Sequence, residues 1–72
     1  MNEIQLYKAV GQRIKSIREA KSLTQQALAD LCNFEKSNMS RIEAGRTNLT
    51  LNSMLIISEA LNIQIKQLID FE

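Results

Sequence analysis

The 72-residue sequence has no histidine, no proline and one cysteine, Cys32. Without histidine the commonest general base is missing. A structural zinc site needs about four Cys or His ligands, so a metal is not expected. A disulfide within the chain is impossible, which fits a reducing compartment. The only glycines are Gly11 and Gly45, and no Asn-Gly or Gly-Gly pair offers a hairpin turn. No stretch alternates apolar and polar residues with a period of two, so strands are not expected. No apolar run approaches the roughly 18 residues of a membrane span. The start, Met-Asn-Glu-Ile-Gln, has no basic region before an apolar stretch. A signal peptide is therefore not expected, and a cytoplasmic location is. Nucleophile, base and oxyanion donor do not converge in any motif, so the chain is not read as an enzyme. No cofactor and no small-molecule ligand is expected.

Charge is scarce in sum but ordered in sequence. Nine Lys and Arg against eight Asp and Glu leave +1. Residues 1–21 hold Lys8, Arg13, Lys15, Arg18 and Lys21 against Glu3 and Glu19, a balance of +3. Residues 22–50 balance to 0, and residues 51–72 hold Lys66 against Glu59, Asp70 and Glu72, a balance of −2. A basic front and an acidic rear point to an oriented electrostatic partner.

What is present is helical spacing. Hydrophobic residues make up 44% of the chain, enough for an ordered core. A chain this short is nonetheless of marginal stability, because it buries only roughly 60% of its unfolded surface. Leu6, Val10, Ile14 and Ile17 step by four, four and three, which predicts a first helix over Ile4–Ala20. Gly11 inside it costs up to about 1 kcal/mol relative to alanine. Thr24 is placed to cap a second helix through Leu28, Leu31 and Cys32, with Asn33 ending it. A third helix is expected over Lys36–Ala44, with Glu35 as cap, Met39 and Ile42 inward, Phe34 packing before it and Gly45 after it. A fourth is expected over Leu51–Leu61, its core formed by Leu51, Met54, Leu55, Ile57 and Leu61, with Thr50 or Asn52 near its cap. A fifth, over Ile65–Ile69, carries Ile65, Leu68 and Ile69. The expected fold is a compact all-α, five-helix single domain spanning residues 1–72.

Within it, Thr24 to Gly45 forms two short helices about a tight turn at Asn33–Glu35. That is the shape of a helix-turn-helix, whose second helix enters the DNA major groove. At about 100° per residue, Met39, Ile42 and Glu43 face the core. Ser37, Ser40, Arg41 and Ala44 face outward, flanked by Lys36 and Asn38. Nothing bulky on that side blocks base edges. Arg41 is able to grip a guanine through O6 and N7, with Ser37, Asn38 and Ser40 as flexible hydrogen-bond partners. Alone, each of these is an ordinary solvated helix residue; the surrounding motif gives them weight.

Three stretches carry a family resemblance. They are Gly-Gln-Arg-Ile-Lys-Ser-Ile-Arg-Glu-Ala-Lys-Ser-Leu-Thr-Gln-Gln-Ala-Leu-Ala (Gly11 to Ala29), Ser-Arg-Ile-Glu-Ala-Gly-Arg (Ser40 to Arg46) and Leu-Ile-Ile-Ser-Glu-Ala-Leu-Asn-Ile (Leu55 to Ile63). In this order the sequence resembles the lambda-repressor-like, Cro/XRE-type helix-turn-helix proteins over about residues 6–70. The resemblance implies a sequence-specific transcriptional regulator that binds double-stranded DNA. It implies base contacts from Lys36, Ser37 and Arg41, with Asn38 and Ser40 as helpers. Phosphate contacts fall on Gln25, aided by the positive helix end, and on Arg46, Thr47 and Asn48. Lys15 or Arg13 is a further candidate for phosphate. It also implies a structural ion pair of Arg18 with Glu43. The chain departs from the family pattern at Ser22 and Asn33, where glycine is usual, and at Leu49, where proline is frequent.

An apolar excess remains at the back. Leu31 and Ile56 stand where the family usually has polar residues, and Ile65, Ile69 and Phe71 crowd the last helix. Exposed together, Ile56, Ile65, Ile69 and Phe71 would form a homodimer interface through the last two helices. It would set two recognition helices about 34 Å apart on a palindromic operator. A phage-type repressor or restriction–modification controller is the favoured reading. An antitoxin with a toxin partner, and a helical adaptor that binds protein, are the alternatives.

Overall fold

The computed structural model describes residues 1–71; Glu72, counted above in the acidic rear, lies outside the described residues. The described chain folds as α1 (Glu3–Ala20), α2 (Gln25–Cys32), α3 (Lys36–Glu43), α4 (Leu51–Ala60) and a terminal 3₁₀ helix (Ile65–Ile69). There is no strand among the described residues. The fold is all-helical as expected, but the fifth element is not an α-helix. At five residues it is little more than one turn, and its Gln67 amide bonds back to the Gln64 carbonyl, an i→i−3 step. Gln67 Oε1 in turn accepts from the Gln64 amide at 2.9 Å.

Polar side chains start three helices by accepting an otherwise unpaired first-turn amide. Asn2 Oδ1 accepts from the Gln5 amide at 2.8 Å while Gln5 Oε1 accepts from the Asn2 amide at 3.0 Å, a reciprocal capping box. Thr24 Oγ1 accepts from Ala27 at 3.0 Å and Thr50 Oγ1 from Ser53 at 3.0 Å. Glu35 occupies the cap position of α3 without a side-chain cap bond.

All four α-helices stop in one way. Ser22, Asn33, Gly45 and Asn62 have φ of 59°, 58°, 74° and 57°. In each case the next residue's amide reaches back to a carbonyl five residues earlier: Leu23 to Arg18, Phe34 to Ala29, Arg46 to Arg41, Ile63 to Ser58. These left-handed stops satisfy the last carbonyls. Asparagine tolerates this conformation and serine does so at a cost, so glycine is used at only one of the four.

The two glycines meet at one place. A Cβ on Gly11 would press on the carbonyl oxygens of Ile42 and Glu43, the latter at 2.7 Å. A Cβ on Gly45 would lie 2.6 Å from the Lys8 Cα. Glycine at both lets α1 cross the last turn of α3 almost backbone to backbone. The helix-propensity cost of Gly11 is the condition of that close packing.

The core holds Val10 and Ile14 of α1, Leu28, Ala29 and Cys32 of α2, Met39 and Ile42 of α3, Ile57 of α4, then Leu61 and Leu68. Phe34, Leu49, Met54 and Ile56 pack partly buried against it. Four apolar residues of the expected helices, three of them expected inward, are instead exposed. Leu6 and Leu31 stand out from α1 and α2, and Leu51 and Leu55 of α4 are 78% and 47% exposed. The α4 sequence is apolar around most of its circumference, and only the side packed on α2 and the 3₁₀ helix is covered. Ser58 takes a buried place there, its hydroxyl donating to the Leu55 carbonyl at 2.8 Å.

Candidate nucleic-acid interface

α3 packs against both α1 and α2, which fixes its roll. Met39, Ile42 and Glu43 are buried, and Lys36, Ser37, Ser40, Arg41 and Ala44 are exposed on the opposite side. Asn38 is half-buried at the edge. Among the described residues, Lys36, Ser37, Asn38, Ser40 and Arg41 form no side-chain hydrogen bond or ion pair, so their polar groups stay open to an external partner. An exposed α-helical ridge of this kind fits the major groove, and its short serines let the helix approach closely.

The buried side of α3 is anchored by a charged network. Arg18 Nε donates to Glu43 Oε2 at 2.7 Å and Nη2 donates to Oε1 at 3.0 Å. Nη1 donates to the Leu23 carbonyl at 2.8 Å, which ties the end of α1 to the turn before α2. The hydrogen bonds that Arg18 donates to Glu43, with the carboxylate's charge, hold the Arg18 guanidinium above its ordinary pKa despite burial. A bidentate Arg–carboxylate pair is directional, so it fixes the α1–α3 angle as well as satisfying two buried charges. Gln25, at the start of α2, joins the network: its Nε2 donates to Glu43 Oε1 at 3.1 Å. No buried side-chain nitrogen or oxygen among the described residues is left without a partner.

Around Gln25 lies an open cleft of about 450 Å³ lined by Lys15, Gln25, Lys36 and Ser40 over the Arg18–Glu43 pair. The structure thus brings Lys15 to the same face as Gln25 and α3. Arg13 sits apart from that cleft. Its Nε donates to the Gln67 carbonyl at 2.8 Å, pinning the 3₁₀ helix to α1. Arg46, Thr47 and Asn48 follow α3 into the loop toward α4. Arg46 and Asn48 are exposed and Thr47 is half-buried.

At the rear, Ile65, Ile69 and Phe71 are exposed, whereas Ile56 is half-buried against the core. Leu51 and Leu55 of α4 are exposed as well. Sequence periodicity placed them in the core because Leu51, Met54, Leu55, Ile56 and Ile57 define no single inward phase. Cys32 is buried, and burial pushes its thiol up to about 11, so it stays protonated and unreactive at neutral pH.

Residues 14–68 match the family model described as Helix-turn-helix. The chain belongs to the Cro/XRE-type helix-turn-helix family. This helix-turn-helix chain is 40% identical over 62 residues to Control protein C.BamHI of Bacillus amyloliquefaciens, covering 85% of the chain and 76% of that relative. It is 40% identical over 63 residues to the Immunity repressor protein of Bacillus phage phi105, covering 88% of the chain but only 44% of the repressor. Among solved structures it resembles the restriction–modification controller protein C.Esp1396I, a tetramer in complex with its natural 35-base-pair operator. There the TM-score is 0.77 and the identity 32%, covering 88% of this chain and 93% of that one. None of the helices among the described residues is long and apolar enough to cross a membrane.

Proposed function

We propose that this chain is a sequence-specific DNA-binding transcriptional regulator of phage-repressor or restriction–modification-controller type, acting as a homodimer on a palindromic operator. The observation that carries the reading is the outward face of α3. It is polar and cationic, free of intramolecular partners, and set rigidly by the Arg18–Glu43 pair. A relative 32% identical to it is bound to operator DNA.

In this reading Lys36, Ser37 and Arg41 read base edges, and Asn38 and Ser40 assist. Gln25, Arg46, Thr47 and Asn48 hold phosphates, with Lys15 added from the cleft beside Gln25. Phosphate contacts set register and orientation, while base contacts carry sequence information. A net charge of +1 leaves few phosphate contacts per subunit, so affinity leans on dimerisation and falls with salt. The interface comprises Ile65, Ile69 and Phe71, and exposure argues for Leu51 and Leu55 beside them in place of most of Ile56. The acidic Glu59 and Asp70 then lie on the side away from DNA. The antitoxin reading draws no support from the relatives above.

Selection from random double-stranded DNA tests this. The expected result is an enriched motif of two inverted halves, their centres about 10 base pairs or a multiple apart. No enriched motif would overturn the regulator reading and favour the protein-binding adaptor. A single unrepeated half would overturn the dimer.

A further inference from the structure

We propose that Glu43, besides pairing with Arg18, is a positioning residue that orients the Gln25 carboxamide for its DNA phosphate. This rests on the assignment of Gln25 to a phosphate made above. Glu43 is buried and paired with Arg18, which donates one hydrogen bond to each of its carboxylate oxygens. A carboxylate only accepts hydrogen bonds. Gln25 therefore meets Glu43 Oε1, at 3.1 Å, with its Nε2 group and not with its carbonyl oxygen. A phosphate oxygen is likewise only an acceptor. The end of the amide that Glu43 selects is the end a phosphate needs, and Nε2 carries a second hydrogen to give it.

The alternative orientation is cheap without Glu43. The terminal torsion of glutamine is broad and roughly two-fold, so a free Gln25 presents oxygen about as readily as nitrogen. An outward oxygen would face the phosphate with like polarity. The first-turn amides of α2 strengthen the case for correct orientation. Thr24 Oγ1 already holds the Ala27 amide, and the Gln25 and Gln26 amides point the same helix end toward an anion. Arg18, buried on α1, thus reaches the DNA face at two removes: it holds Glu43, and Glu43 holds Gln25. Lys15 and Lys36 line the same cleft and do not share these bonds.

The test is a double-mutant cycle. Glu43→Gln, Gln25→Ala and the double variant are compared with wild type for binding to the selected operator and to random DNA, below each variant's unfolding midpoint. E43Q and Q25A are each expected to weaken both DNAs by one common factor, about tenfold for a hydrogen bond to a charged group. The double variant is expected to bind no worse than E43Q alone. Additive losses would overturn the proposal. So would an operator-selective loss in E43Q, because that reports a disturbed α3 and hence a merely structural Glu43.

Should E43Q fail to fold, the wild type decides. Hydrogen exchange of the Gln25 side-chain amide, followed by NMR, is expected to show one protected Nε2 proton in the free protein and two in the operator complex. Two fast-exchanging protons in the free protein would overturn the proposal. Absence of any DNA binding by wild type would instead remove the phosphate assignment, leaving the free-protein protection as a separate observation.

Discussion

α3 and α4 are short helices of similar length, and they leave opposite kinds of surface. α3 buries Met39, Ile42 and Glu43 and shows Ser37, Ser40 and Arg41. α4 buries Ile57 and Ser58 and shows Leu51 and Leu55. In α3 the one buried charge is paired and the exposed groups keep their hydrogen-bonding capacity. In α4 a polar side chain is buried while large apolar ones stay in water. Each helix thus departs from simple inside–outside sorting, for opposite reasons. Exposed donors without internal partners suit a wet, polar, charged ligand. Exposed leucines suit a dry one. Along the sequence cations gather in the first third and anions in the last, but the fold brings Lys8, Arg13 and Asp70 together around one hollow.

Substitutions separate the two surfaces. The largest effect is expected from Gly11→Ala, which drives a methyl into the α3 carbonyls and breaks the α1–α3 crossing. A loss of about 3 kcal/mol in urea unfolding is expected. A gain near 1 kcal/mol, as helix propensity alone gives, would mean the crossing is not tight. Next is Arg41→Ala, expected to cost about 1–3 kcal/mol at the operator and to relax preference at one base pair, with folding unchanged. Binding titrations on operator and single-site variants check it. Leu55→Glu places like charges across a two-fold interface. Its dimer dissociation constant is expected to rise about tenfold or more, near 1.4 kcal/mol, by sedimentation, while the monomer stays folded. An unaltered dimer would move the interface off α4. The smallest is Ser22→Gly, which touches neither surface. Relief of its left-handed backbone is expected to add about 1 kcal/mol of stability and to leave DNA affinity unchanged.

Helix positions were legible because caps and stops are local. Asn33 and Gly45 mark the ends of α2 and α3, Thr24 and Thr50 mark starts, and the bounds of the four helices differ from expectation by one residue or less at each end. Asn2 was missed as a cap, although its partner Gln5 stands three residues on, a pattern readable in the sequence. The 3.6-residue phase of α3 was legible because it holds only two apolar inward positions. The phase of α4 was not: Leu51, Met54, Leu55, Ile56 and Ile57 point in several directions, and only the packing of α2 and the 3₁₀ helix chooses among them. Gly11 read as a cost because its neighbour, the α3 backbone, lies more than 30 residues away in sequence. The Arg18–Glu43 pairing came from resemblance, not from spacing, since 25 residues separate the partners. The link from Glu43 on to Gln25 was visible only in three dimensions.

The division of labour between the two helices is tested most directly by mapping NMR amide shifts while operator DNA is titrated into the dimer. The largest changes are expected at the start of α2 around Gln25, along Lys36, Ser37, Ser40 and Arg41, and at Arg46, with Leu51, Leu55 and Ile69 nearly still. Changes centred on α4 and the 3₁₀ helix, with α3 unmoved, would contradict it.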